Sequence, residues 1–174
     1  MHRREGSQLH FSRAGFTLIE LLVTLAVLTI MLTWGVPNFQ RLMEQLSIDT
    51  GISRLQRAIA LTRNTAISQQ RRLTLCPSAN NKQCSPNWDL PLLILVGNVD
   101  GDALEGAEVL KVIAGGDLER VNFRNGYRWL RIGSSGWPRG YNGTFTLCGQ
   151  KASATLVMSA TGRLRVGPPG DCSS

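Results

Sequence analysis

With 174 residues, a formal net charge of +7 and four cysteines, the chain has room for one modest domain beside a membrane segment. Both histidines, His2 and His10, precede the first long apolar run, so no imidazole lies beyond it. That excludes Ser-His-Asp and Cys-His nucleophilic chemistry and histidine-ligated zinc from everything downstream. No other catalytic constellation stands out, so the chain reads as a non-enzyme with no cofactor.

Residues 16–36, FTLIELLVTLAVLTIMLTWGV, form an apolar run broken by one carboxylate, Glu20. About 20 such residues, rising roughly 1.5 Å each, cross a bilayer as a helix. Arg3, Arg4 and Arg13 against Glu5 place positive charge before the run. The bias predicts residues 1–15 in the cytoplasm and everything after Pro37 across the membrane. Burying a carboxylate near a membrane centre costs about 2.5–3.5 kcal/mol, so Glu20 calls for a partner. Cleavage after Gly15 would give Phe16 a free amine able to neutralise Glu20 of a neighbouring copy, or of another protein with the same start. A secretory signal fits poorly: its apolar core is about 7–15 residues with a small-residue site after it. Trp34-Gly35-Val36-Pro37 offers no such site. A plain anchor would leave Glu20 unexplained.

Pro37 removes a backbone donor and crowds the previous turn, which predicts a kink. Beyond it Phe39, Leu42, Met43, Leu46, Ile52, Leu55, Ile59, Ala66 and Ile67 recur mostly at spacings of three, four and seven. Arg41, Glu44, Gln45, Arg54, Gln56, Arg57 and Arg63 fill the other faces, giving an amphipathic pattern. The pattern predicts one helix over residues 16–70, with its second half laid on a β-domain and locally weakened by Gly51.

From residue 71 the period changes. Strands are predicted at 73–76, 92–96, 109–112, 121–123, 128–132, 144–148, 155–158 and 163–166, separated by turn clusters at 98–102, 115–116, 133–136 and 142–143. The 98–102 cluster reads as a turn and not a calcium loop, because Val109 stands where an EF-hand needs Glu. Trp88, Trp129 and Trp137 read as packing residues, with base stacking open to any left exposed. The segments imply a leader at 1–15, a membrane helix at 16–36, its amphipathic continuation at 37–70 and a β-rich domain at 71–174.

An even cysteine count in an exported domain points to disulfides. Four cysteines allow three pairings. Cys76–Cys84 with Cys148–Cys172 is favoured, since residues 77–83, PSANNKQ, are turn-forming and the second bridge would tie the tail to a strand. A metal site would lack the usual C-x-x-C spacing.

The run Gly15-Phe16-Thr17-Leu18-Ile19-Glu20 behind a polar basic leader resembles the class III signal of type IV pilins and type II secretion pseudopilins. The resemblance implies that a prepilin peptidase cuts after Gly15 and methylates Phe16, and that Phe16 and Glu20 serve assembly. It implies an α+β, type IV pilin-like fold: a long amino-terminal helix, transmembrane in its first half, packed on a carboxy-terminal antiparallel β-domain. Later motifs resemble the GspH/FimT group. These are a cysteine after the first strand, a Cys loop with Trp88, the 98–102 cluster, GTFTLC at 143–148 and TGRLR at 161–165. The paired cysteines and the Gly-Arg-Leu-Arg tail lean to the FimT side.

That side implies a minor pilin contributing to pilus biogenesis and to DNA uptake in natural transformation. The alternative is a GspH-like minor pseudopilin of type II secretion. Implied partners are the prepilin peptidase, other minor and major pilins, non-specific DNA, and the inner membrane before assembly, with the β-domain in the periplasm and then on the fibre. Arg163 and Arg165, two apart on a strand, would share a face and grip phosphates through paired N–H donors. Lys151 is placed with them, and Arg124, Arg128, Arg131 and Arg139 are candidate extensions. Losing the leader would leave +5 of the +7, a surplus suited to an anionic partner. The competing reading of the arginines is a solvated hairpin edge whose charge deters strand pairing.

Overall fold

The computed structural model describes residues 15, 17–99, 103–124, 126–138 and 140–172. The leader to Ala14, Phe16, most of the 98–102 cluster and Arg139 lie outside the described residues. Among those described, one helix, α1 (Leu18–Ser68), precedes eight strands. The helix crosses the boundary between two compact units, one ending at Phe39 and one beginning at Gln40.

In the first unit the helix starts at a cap that the sequence builds itself. Thr17 Oγ1 accepts the Glu20 N–H at 3.3 Å, which satisfies one of the orphan donors of the first turn. Thr24, Thr29 and Thr33 donate their hydroxyls to carbonyls three or four residues back. Every threonine in the apolar run is therefore satisfied within the helix, as a lipid environment demands. The segment is long and apolar enough to cross a membrane, and Pro37 lies inside the helix.

In the second unit the strands are β1 (Leu73–Pro77), β2 (Leu92–Val96), β3 (Val109–Ile113), β4 (Arg120–Phe123), β5 (Leu130–Ile132), β6 (Gly143–Cys148), β7 (Ser153–Met158) and β8 (Leu164–Gly167). They form two antiparallel sheets in the orders β3-β2-β1-β5 and β4-β6-β7-β8. All eight predicted strands are present. β5 is shorter than expected, because its pairing with β1 runs only from Leu130 to Ile132.

The helix buries Ile48, Gly51, Ile52, Leu55, Ala58, Ile59, Thr62 and Ala66 against this domain. This stripe begins later than the sequence suggests. Phe39, Leu42, Met43 and Leu46 are exposed, as is Ile67. Gly51 is no weak point: a Cβ there would sit 2.7 Å from Leu118 Cδ1 and 3.2 Å from Leu147 Cδ2, so the missing side chain lets the helix lie close. From the sheets, Leu73, Leu75, Leu92 and Ile94 meet the helix together with Val121, Phe123, Phe145, Leu147, Leu156 and Met158. Trp88 fills the centre, edge-on to Phe123 and Phe145 at 5.7 and 5.2 Å, and its Nε1 donates to Tyr127 O at 2.8 Å.

The far face of the first sheet carries a second, smaller cluster: Cys76, Cys84, Leu93, Leu95, Val99 and Leu104. The cysteines join as Cys76–Cys84 and Cys148–Cys172. The first bridge closes a loop over that small cluster. The second ties the tail beyond β8 to the end of β6.

Arg54 overturns its assignment to a polar face. It is 7% exposed. Its guanidinium donates to Leu90 O at 3.2 Å, to Ala114 O at 3.1 Å and to Trp88 O. Asp89 Oδ1 lies 3.6 Å from Nη2, and Asp89 Oδ2 accepts the Leu118 N–H at 3.1 Å. Burial pushes the Asp89 carboxyl above its ordinary range, against the pull of Arg54. Replacing Arg54 by Ala leaves three carbonyls and a buried carboxylate without their cation, which costs about 3–5 kcal/mol. Exposed Arg57, replaced in the same way, should change stability by no more than about 0.5 kcal/mol. Unfolding of the detergent-solubilised chain by denaturant checks the difference; equal losses would remove Arg54 as a determinant of the fold.

Candidate nucleic-acid interface

The Gly-Arg-Leu-Arg segment ends the turn joining β7 to β8 and opens β8: Gly162 and Arg163 lie in the turn, Leu164 and Arg165 in the strand. Gly162 N–H donates to Ser159 O at 2.8 Å, and Ser159 N–H to Arg163 O at 2.9 Å. Ser159 Oγ also accepts the Arg163 N–H at 3.1 Å. Gly162 has φ +78°, a left-handed conformation that disfavours a side chain. It is also crowded, since a Cβ would lie 3.0 Å from Pro138 Cδ and 3.2 Å from Arg63 Nη1. Glycine opens the motif for both reasons.

Beyond the turn, Arg165 pairs with Val157 and Leu164 with Met158. Leu164 packs on the core while Arg163 and Arg165 are exposed. Arg163, the last residue of the turn, and Arg165, in β8, are therefore both exposed at the edge strand of this sheet.

The turn is anchored by a residue that sequence reasoning placed in solvent. Arg63 donates Nε to Gly136 O at 2.8 Å and Nη1 to Gly162 O at 3.1 Å. Its signal was its flank position, directly after buried Thr62 and one helical turn past Ile59. A charge beside a buried stripe is ambiguous in sequence, because long cationic stems reach across apolar surface to distant acceptors.

Lys151 is not part of this site. It lies in the β6–β7 turn, beyond the Cys148–Ser153 end of the ladder, whereas the arginines lie at its Gly143–Met158 end. A ladder of that length separates the two by about 17–20 Å. Lys151 and Ala152 instead give their backbone N–H groups to Glu44 Oε1, the second at 2.8 Å.

The other candidates do not gather around this turn as one patch: Arg124 follows β4, on the other edge of the same sheet, and Arg131 lies in β5 of the first sheet. Arg124 Nη1 donates to Gly140 O at 2.7 Å, and its guanidinium lies 4.6 Å from the Tyr127 ring centre. Arg131 Nη2 donates to Val99 O at 2.5 Å. With Arg72, absent from the sequence reading, Arg131 lines an open cleft of about 520 Å³. Arg128 is exposed. Of the tryptophans, Trp88 is fully buried, Trp129 half-buried and Trp137 52% exposed. Among the described residues no cluster of three potential metal ligands occurs.

A long amino-terminal helix, two antiparallel sheets laid on its second half and an amino-terminal processing signal define a protein of the pilin class. The prokaryotic N-terminal methylation motif matches residues 11–36, and the family described as Type II transport protein GspH matches residues 52–162. The chain belongs to the GspH family. Its fold is similar to that of the type IV minor pilin FimU of Pseudomonas aeruginosa strain PAO1. One crystal form of FimU gives a TM-score of 0.57 at 19% identity, covering 73% of this chain and 92% of that one. A second form gives 0.53 at 20% identity, covering 69% and 92%. At these identities the likeness establishes the pilin-like fold. No curated protein matches the chain. The methylation motif implies processing by a prepilin peptidase and assembly with other pilins. The apolar helix and the family together fit anchoring in the inner membrane.

Glu44 supplies a pH test of the Lys151 turn. The backbone N–H of Lys151, then that of Ala152, hold its carboxyl below the ordinary value. A depressed folded value means that the contact is fully present above the ordinary carboxyl range near pH ~4.3 and is lost as pH falls through the folded value. The Lys151 and Ala152 amide resonances should therefore titrate together on acidification below the ordinary carboxyl range. Glu44→Gln should abolish that titration; amides that stay fixed in the parent would show that the carboxylate does not hold the turn.

Proposed function

We propose that the protein is a minor type IV pilin of the FimT kind, cut after Gly15, methylated on Phe16 and built into the pilus, where it holds DNA during uptake. Phe16 and Glu20 serve assembly, the new amine of one subunit facing the carboxylate of the next. Arg163 and Arg165 hold the nucleic acid. One observation carries this reading: two exposed arginines two residues apart, one on a turn fixed by Arg63, by Ser159 and by the Gly162–Pro138 approach, the other on the strand it opens. Guanidiniums so placed engage phosphate oxygens through paired donors and read the backbone without reading sequence.

The second reading is a minor pseudopilin of type II secretion. The description of the matching family, Type II transport protein GspH, favours it. In that setting the β-domain contacts other pseudopilins or cargo, and the arginines are an incidental charged edge. Deleting the gene separates the two: loss of transformation supports the first, exoproteins trapped in the periplasm the second.

The full chain in detergent, titrated with short duplex DNA over a range of salt, gives the direct test. Each phosphate contact contributes about −0.9 to the slope of log K against log salt, so Arg163→Gln/Arg165→Gln should flatten the slope by about 2. Affinity at low salt should fall with it. Equal binding by parent and variant, or none by either, would remove the arginine turn as a DNA grip.

A further inference from the structure

One tight loop joins the arginine turn to the Arg72 cleft. Gly133 N–H donates to Trp137 O at 3.1 Å, and Gly136 N–H to Gly133 O at 2.8 Å, so residues 133–137 fold back on themselves. The first part of the loop, Gly133 to Ser135, lines the cleft beside Arg72, Asn98, Arg131 and Tyr141. The last part runs into Pro138, which lies against Gly162. Trp137 and Arg163 thus each stand one residue from a touching pair.

The loop is not slack. Gly136 sits on Ile67, and its carbonyl accepts from Arg63. Trp137 is nonetheless 52% exposed, although Trp88 shows that this domain can bury an indole completely. A large aromatic is held out on a rigid support. The end of its loop that follows it meets the turn of the two exposed arginines, and the end that precedes it lines a cleft that offers guanidinium, hydroxyl and amide donors. Among the described residues no carboxylate lines that cleft. Its volume is within the range of about 300–1,000 Å³ that encloses small ligands and falls far short of a duplex.

Building on the DNA reading above, we infer that this face selects nucleic acid with unpaired bases. Trp137 stacks on an extruded base, Arg163 and Arg165 hold the phosphates on one side of it, and the cleft with Arg72 takes the next phosphodiester on the other. An indole can stack on any base of a single strand, because every base presents a π-face. In an intact duplex those faces are already covered by neighbouring base pairs. Phosphate contacts alone do not distinguish the two forms in this way; the aromatic does.

The test uses the full chain in detergent, with a mixed-sequence single strand and the blunt duplex of the same sequence. The single strand should bind about tenfold more tightly, the worth of one stacked base. Trp137→Ala should erase that advantage and leave duplex binding unchanged, while Trp137→Phe keeps most of it. Quenching of tryptophan fluorescence by the single strand should be present in the parent and missing from Trp137→Ala. Arg72→Gln should weaken single-strand binding and flatten its salt slope by about 0.7, with duplex binding unchanged. Equal binding of the two forms with Trp137→Ala inert overturns the inference. If duplex binding is still lost in Arg163→Gln/Arg165→Gln, the DNA reading survives that outcome. If no nucleic acid binds, the DNA reading fails and takes this inference with it.

Discussion

Arg54 is the peg on which the second unit hangs. Its guanidinium enters the place where the helix, the Trp88 loop and the segment after β3 meet, and it satisfies carbonyls from Trp88, Leu90 and Ala114. Asp89 balances the charge and in turn holds the Leu118 N–H. Apolar burial supplies most of the attraction between helix and sheets, but it is non-directional. A stripe such as Ile48, Ile52, Leu55 and Ile59 can slide or rotate against Leu and Phe at modest cost. A buried cation with three fixed acceptors cannot, because any shift leaves charged or polar atoms unpaired in a medium where that is expensive. Arg54 therefore sets where along the helix the sheets sit.

Two further charged side chains repeat the device. Glu44, about three turns earlier, accepts backbone N–H groups of the β6–β7 turn. Arg63, about two and a half turns later, donates to backbone carbonyls on either side of Pro138. All three bind main-chain groups, Arg54 with the Asp89 carboxylate beside it, so they define the positions of loops largely irrespective of the residues the loops display. The consequence reaches the candidate site directly. The turn that carries Arg163 is fixed to the same rigid helix that fixes the core, and the Trp137 loop shares its anchor.

The strands were legible because their cues are local: β-branched and aromatic runs between glycine and asparagine clusters. The helix was legible for the same reason. The charged pegs were not. Arg54 and Arg63 look like any solvated arginine between apolar positions, and only the loops packed against them, distant in sequence, supply their acceptors. Gly51 reads as a helix weakness until Leu118 and Leu147 are seen to lie where its side chain would be. Sequence proximity misled once as well. Lys151 is near Arg163 along the chain, but a hairpin sends its turn to the opposite end of the sheet. Trp88 and Trp137 are the same residue with opposite fates. The first finds an acceptor at Tyr127 and two phenyl rings; the second stands beside glycines and a proline that offer no enclosure.

The position of the second disulfide completes the logic of the arginine strand. β8 is a short edge strand, the kind of element that frays most readily. Past it the tail runs back along β7: Pro168 O accepts from Thr155, Gly170 O accepts from Ser153, and Cys172 is bonded to Cys148. The covalent tie thus lies at the end of the sheet away from Arg163, where Arg120 also donates to Cys172 O. At the other end Arg63 and Ser159 hold the turn. Clamped at both ends, β8 and the turn before it keep Arg165 and Arg163 at a fixed spacing before any ligand arrives. Binding then orders only the outer atoms of two side chains and leaves the strand as it was, so less conformational entropy is lost on contact.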